Sequence, residues 1–551
     1  MTSASEGNAR ALFDRYWEDL LSLEPLVGTQ VGDDRFDNLL PDPSPDGIAR
    51  RETVHRSALA AAAEIDRSGL DVVLRTTLDT LEAVAKRDLA SIEHRLDRFG
   101  AVNHLWGPGQ LLAELGTLQR ADTPERLERF LARLHATPAY LDAVCGVVRD
   151  AAEVGQTVPI VVVERTIAQV ERLLAIPAEE SPALSPVPED HAGDRTTVAG
   201  VLRDEVMPAY VGYVEALRRY LPAATETIGL YALPGGEAMY GAEILGWTTL
   251  ELDPRGVHDV GIEELEAIQE ERRHSAALLG FASADEAIAA HQESGNNTAA
   301  SREELVHLAE EQVRRSWEAC PGYFGRLPKE PCDVRPVEEF READMPFAFY
   351  MTGTEDGSRP GIYYVNTYQL EERPLHHLAT TTYHEANPGH HLQLTIEQEI
   401  EERPALRRFG GMFSGAAFVE GWGLYSERLA DEMGLFTDEY ERLGMLDAQA
   451  HRAARLIVDT GIHALGWTRE RAIAKLEEAG VPRVDAVIET DRYIALPAQA
   501  LAYKIGQREI EHQRRAAVAR EGSAFSLSEF HDRMLALGSL PLPSLQRELG
   551  A

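Results

Sequence analysis

Apolar residues recur every three and four positions in stretches near 8–23, 47–98, 109–119, 124–154, 158–175 and 196–221. That period places one face of a helix against a core, so a mainly α-helical protein is expected. A chain of 551 residues exceeds what one core ordinarily supports, and two lobes are expected: an N-terminal helical lobe over 1–225 and a second lobe over 226–551. Between 177 and 195 the residues Pro182, Pro186, Pro188 and Gly193 stand among acids and predict a long exposed loop, a candidate hinge or linker. The strand signals are two β-branched and aromatic runs, 347–351 and 361–367, joined by a Gly- and Asp-rich connection. They predict a hairpin.

Behind the hairpin runs Tyr383-His384-Glu385-Ala386-Asn387-Pro388-Gly389-His390-His391-Leu392. A His-Glu pair ahead of a second histidine is the residue set of a catalytic zinc site, usually spaced H-E-x-x-H so that two imidazoles one helical turn apart face the metal. Here Pro388 occupies the fifth position. A regular helix there loses the amide bonded to the His384 carbonyl and meets the proline ring, so a kink or bulge between Asn387 and Gly389 is expected. In an unbroken helix His390 lies about 120° around the axis from His384, and His391 about 10.5 Å along it. Zinc ligand nitrogens stand only about 3.3 Å apart. A two-residue bulge, tolerated by Gly389, brings His390 to the place of the second histidine and leaves His391 in reserve.

A third ligand is sought about thirty residues on, where 418–429 have helical spacing with Glu420 on the first turn beside Gly421. Two histidines and one glutamate from a second helix leave a fourth position for water. Glu427 is a rival in a Ser-Glu-Arg context typical of a surface. Nitrogen and oxygen donors also accept manganese, cobalt or iron. A helix over 445–466 repeats His451, Arg455, Asp459 and His463 every four positions on one face, either lining a cleft, with Asp459 orienting His463, or forming a solvated row.

A formal charge of −37 opposes binding to nucleic acid or anionic membranes. Lys86, Lys329, Lys475 and Lys504 are the four lysines; the other basic residues are arginines. The cysteines Cys145, Cys320 and Cys332 are too few and scattered for a disulfide framework or a thiolate metal site. No run of eighteen apolar residues appears, and residues 1–7 lack the basic start and apolar core of a signal peptide. A cytoplasmic location is expected.

The motif and three further segments, 24–37, 459–468 and 492–506, resemble the bacterial family called domain of unknown function 885. Its members are similar to carboxypeptidase Taq metallopeptidases and, more distantly, to neurolysin-like oligopeptidases. The resemblance implies a large bilobal zincin-like helical fold with a deep central cleft and a small β-element beside the metal helix. It implies one Zn²⁺ per chain held by His384, His390 and Glu420, with Gly389-His390 falling where carboxypeptidases have Gly-His after a two-residue insertion. Glu385 is the implied general base of peptide hydrolysis, of carboxypeptidase or oligopeptidase type. Tyr503, Tyr493 and His463, in that order, are candidate donors to the developing oxyanion. The strand around Tyr363, Tyr364 and Asn366 is implied to bind extended peptide by main-chain pairing, and Arg492 to take a terminal carboxylate. A catalytically silent peptide-binding protein and a metal hydrolase of a non-peptide bond are the alternatives; a di-iron bundle is disfavoured because paired E-x-x-H motifs do not surround Glu385 or Glu420.

Overall fold

Helices begin where the sequence supplies caps. Ser44 accepts from Gly47 N–H ahead of Pro45–Ala63, Asp71 from Leu74 N–H ahead of Val72–His94, and Thr123 from Arg126 N–H ahead of the 31-residue Pro124–Val154. Each satisfies an amide that has no partner inside the helix. The cap at Asp71 also explains why the periodic stretch 47–98 is two helices rather than one. The computed structural model describes residues 4–339, 342, 345–354 and 357–550. Helix accounts for 71% of the chain, about twice the usual share, so the sheet is a small insert in a helical frame.

The segment 177–195 is not the exposed loop that its prolines suggest. Short turns at Ala178–Glu180 and Pro182–Leu184 point Ala178, Ala183, Leu184 and Val187 into the largest apolar cluster. Arg195 Nη1 secures the fold-back by donating to the carbonyls of Leu184 and Val187, at 3.0 and 2.8 Å. The same cluster takes residues from both sides of the 225/226 division, among them Tyr210, Tyr213, Leu265, Ile457 and Tyr493.

The strands form a three-stranded sheet: β1 (Asp333–Pro336), β2 (Ala348–Met351) and β3 (Ile362–Val365), in the order β1-β3-β2. The expected hairpin is the antiparallel pair β2–β3, with Phe349 opposite Tyr364. Strand β1, four residues with a terminal proline, escapes sequence reading; it runs parallel to β3 and covers its other edge.

Seven helices carry the site: α1 (Pro254–Leu278), α2 (Leu375–Glu385), α3 (His390–Gln398), α4 (Ala416–Glu432), α5 (Glu439–His463), α6 (Arg483–Ala495) and α7 (Leu501–Glu521). Helix α5 is buried along most of its length, packed on α1 and α2. Helices α4 and α7 meet at paired glycines: a Cβ on Gly421 would lie 2.3 Å from the Gly506 carbonyl carbon, and one on Gly506 only 1.7 Å from Ala417 O. Among the described residues, no helix is long and apolar enough to cross a membrane.

Gly421→Ala should therefore separate α4 from α7 and lower stability in urea by about 1–3 kcal/mol, the usual scale of overpacking. Gly241→Ala, inside Gly236–Thr248 with nothing within 4 Å of the new methyl, should raise stability by up to about 1 kcal/mol. Equal midpoints for the two variants would remove the close-packing account.

Candidate metal centre

Pro388 and Gly389 divide the motif between two helices. Helix α2 stops at Glu385 and α3 starts at His390, so the expected bulge is a full break over 386–389, with Asn387–Pro388 in the cis form. The Ala386 carbonyl accepts from His391 N–H at 3.1 Å, and Trp422 Nε1 donates to the Pro388 carbonyl at 2.9 Å. Gly389 is required by space: a Cβ there would stand 1.9 Å from His384 O.

The break turns His390 back onto His384. Their rings lie 4.7 Å apart at 87°, and their Nε2 atoms stand 3.6 and 3.7 Å, respectively, from Glu420 Oε2. One donor atom from each of the three residues lies within 4.8 Å of the others. Gly423, one turn along α4, makes room for the imidazoles; a Cβ there would be 2.7 Å from His384 Nε2 and 3.0 Å from His390 Cε1. Glu420 keeps 24% of its side chain exposed against 5% for His384, so the set is open on the carboxylate side. Two imidazole nitrogens and one carboxylate oxygen at this spacing fit a zinc-type cation with an open position.

Outer layers hold the ligands. His384 Nδ1 donates to Glu427 Oε1 at 2.8 Å, the carboxylate–imidazole arrangement that aims the other ring nitrogen at a metal. Glu427 is buried, not the surface residue its Ser-Glu-Arg context suggests. It lies seven positions from Glu420, on the same helical face, and that spacing is the sequence signal that could have found it. Gln449 Nε2 donates to Glu427 Oε2 at 2.9 Å. Lys504 Nζ in turn donates to Gln449 Oε1 at 3.0 Å and Gln507 Oε1 at 2.6 Å; burial brings this ammonium down to about 8.

Burial disfavours charge on His384, but Glu420 and Glu427 outweigh it and raise the imidazole to about 10 when no cation intervenes. Burial opposes ionisation of Glu420 too, yet the two histidines hold it well below the ordinary carboxylate range. Glu385 moves the other way. Desolvation raises it against the pull of His384 and His390, as suits a general base. Arg452 was missed in the sequence: its charge acts on both Glu385 and Glu427, and its buried Nε has no hydrogen-bond partner.

Tyr503 sits beside the centre, its ring 6.5 Å from that of His384 at 26° and its hydroxyl 3.5 Å from Arg492 Nη2. Arg492 also donates to Gln499 at 2.9 Å and contacts Glu489 at 3.3 Å. Tyr493 is committed elsewhere: its hydroxyl donates to Glu489 at 2.6 Å and receives Arg455 Nε at 3.0 Å. His463 is a core residue. Its Nε2 donates to Tyr493 O at 2.9 Å and its Nδ1 accepts from Leu230 N–H at 3.3 Å, leaving neither nitrogen for an oxyanion. Asp459 does not orient it; that carboxylate accepts from Tyr240 Oη at 2.6 Å and Ala498 N–H at 3.1 Å.

His391 faces the sheet. Its Nε2 donates to Glu330 O and its Nδ1 accepts from Tyr350 Oη, both at 3.1 Å, so it has no lone pair to spare for the cation of His384. The strand residues are also engaged: Tyr363 Oη meets Thr382 Oγ1 at 3.1 Å, Tyr364 stacks on Phe349 at 4.9 Å, and Asn366 Nδ2 serves the carbonyls of Glu342, Met345 and Pro346. With β1 and β2 on its two sides, β3 has no edge for the peptide pairing expected of it.

The family model described as "Bacterial protein of unknown function (DUF885)" matches residues 25–549. The chain belongs to this family. A solved structure from Colwellia psychrerythraea, described as a putative lipoprotein, has a TM-score of 0.92 at 26% identity over 99% of each chain. One of the same description, of unknown function, from Shewanella oneidensis has a TM-score of 0.75 at 19% identity over 97% of this chain and 98% of that one. No curated protein matches this DUF885 chain.

Since His384 holds its proton up to about 10, a cation entering at pH 7–8 should displace that proton, and apparent affinity should rise about tenfold per pH unit below that value. Calorimetry in buffers of different ionisation enthalpy measures the release. Glu427→Gln should weaken binding by about 10–100-fold; unchanged affinity would show that Glu427 does not orient the ligand.

Proposed function

We propose that this DUF885 protein is a zinc-dependent metallopeptidase, of carboxypeptidase or oligopeptidase type. The observation that carries the reading is the convergence of His384, His390 and Glu420 beside the half-buried Glu385. A zinc ion bound there would polarise a substrate carbonyl and make water more acidic. The chain's own groups do the rest. Glu385, raised by burial, takes the proton of the attacking water and returns it to the leaving amine. Tyr503, whose ring lies 6.5 Å from that of His384, donates to the oxyanion that develops on the carbonyl. Glu427, backed by Gln449 and Lys504, keeps His384 in the tautomer that presents Nε2. The zincin-like relationship of the helical frame is part of the same proposal.

The cations near Tyr503 bear on substrate. Arg492 contacts the Tyr503 hydroxyl, and Arg455 lies over its ring at 4.5 Å with an unpartnered buried Nη1. They favour substrates with an anionic group near the scissile bond, which a free C-terminal carboxylate supplies. Location is a separate question: the cytoplasmic expectation stands against a similar structure described as a putative lipoprotein, and fractionation of producing cells decides between them.

Glu385→Gln should retain the metal and lose at least about 10²-fold in kcat on short peptides. Amidation of the substrate C-terminus should reduce kcat/KM if the arginines read that carboxylate. Wild-type turnover by metal-loaded Glu385→Gln would remove Glu385 as the general base, and absence of metal-dependent peptide turnover in the wild type would end the peptidase assignment.

A further inference from the structure

The start of α2 carries a second set of ligands. His376 and His377 present Nε2 to Asp447 Oδ2 on α5, at 3.6 and 3.5 Å, and one donor atom of each residue lies within 4.8 Å of the others. Asn297 decides the His376 tautomer. Its Oδ1 accepts from both the backbone N–H and Nδ1 of His376, each at 3.0 Å, while its Nδ2 donates to Gln292 at 3.0 Å. Nδ1 of His376 therefore holds the hydrogen, and Nε2 turns a lone pair toward a carboxylate. Two lone-pair donors face each other with no proton between them. His377 Nε2 is also buried without a hydrogen-bond partner.

The distances at Asp447 exceed those of a direct imidazole–carboxylate hydrogen bond. Where imidazole and carboxylate do bond directly in this protein, at His384 and Glu427, they close to 2.8 Å. At Asp447 they stand off at 3.5 and 3.6 Å, outside the hydrogen-bond range and near the about 3.3 Å edge of a tetrahedral zinc site. The separations match those at Glu420, 3.6 and 3.7 Å. As in a metal site, the ligands have outer partners: Asn297 for His376, and Arg272 Nε for the other oxygen of Asp447, at 2.7 Å.

We propose that His376, His377 and Asp447 form a second divalent-cation site that ties α2 to α5. His377 precedes His384 by seven positions, about 10.5 Å along the helix, too far for a bridged two-metal centre with ions about 4 Å apart. The ion is structural, and the site stands whether or not the first centre is a peptidase. It binds more weakly than the first centre, because Arg272 neutralises Asp447 and the positive end of α2 faces the ion, whereas Glu420 has Glu427 behind His384.

The test is Zn²⁺ or Co²⁺ stoichiometry by elemental analysis on the stripped, refilled full chain. Wild type should bind two ions in separate phases, the second about 10–100-fold weaker. His377→Gln should bind one, tightly, and lose the metal-dependent rise in Tm; His390→Ala should bind one, weakly. A single wild-type ion that His377→Gln leaves in place would overturn the proposal; a single ion lost in His377→Gln but kept in His390→Ala would support it and remove the first centre instead. His377, with 33% of its side chain exposed, gives a check that needs no variant. Saturating Zn²⁺ should protect it from diethyl pyrocarbonate as read by mass spectrometry, and undiminished labelling would overturn the proposal.

Discussion

The chain cannot continue a helix from His384 to His390, and the arrangement of the centre depends on that prohibition. Pro388 offers no amide to the helix, and Gly389 occupies a place where any Cβ would collide with the His384 carbonyl. The helical path therefore ends and restarts, and the restart brings the second imidazole against the first nearly at right angles. The paired glycines of α4 and α7, together with Gly423, then let a third helix come close enough to present Glu420. Backbone constraint and absent side chains position the ligands before any electrostatic attraction acts.

Electrostatics holds what the backbone has positioned. Charges buried in a helical core are costly unless paired or hydrogen-bonded; here His384 faces Glu420 and Glu427, Glu427 also accepts from the Gln449 amide, and Lys504 donates to that amide's oxygen. The row runs from α2 and α4 through α5 to α7. The α2–α5 contact carries His376, His377 and Asp447, so α2 contributes histidines to both ligand sets.

Periodicity made the helical frame legible because a 3.6-residue repeat is local. The hairpin was legible for the same reason: β2 and β3 are dense in aromatic and β-branched residues. Strand β1 was not, since Asp-Val-Arg-Pro is strand only through its partner β3. The prolines of 177–195 read as exposure, yet Leu184 and Val187 are drawn inward by a core assembled from distant helices. Glu427 looked superficial because Ser-Glu-Arg is common on surfaces, and nothing local reveals that Gln449 will cover it.

By itself the sequence determined a helical protein, an interruption at Pro388–Gly389, and the candidacy of His384, His390 and Glu420, because these follow from local periodicity, local breakers and motif spacing along the chain. The tertiary structure alone decided which way His391 turns, that Tyr493 and His463 are committed to the core while Tyr503 borders the centre, and that Asp447 meets a His-His pair some seventy residues earlier. Those outcomes depend on how helices cross. Crossing is set by the packing of side chains from remote parts of the chain, which no local spacing contains.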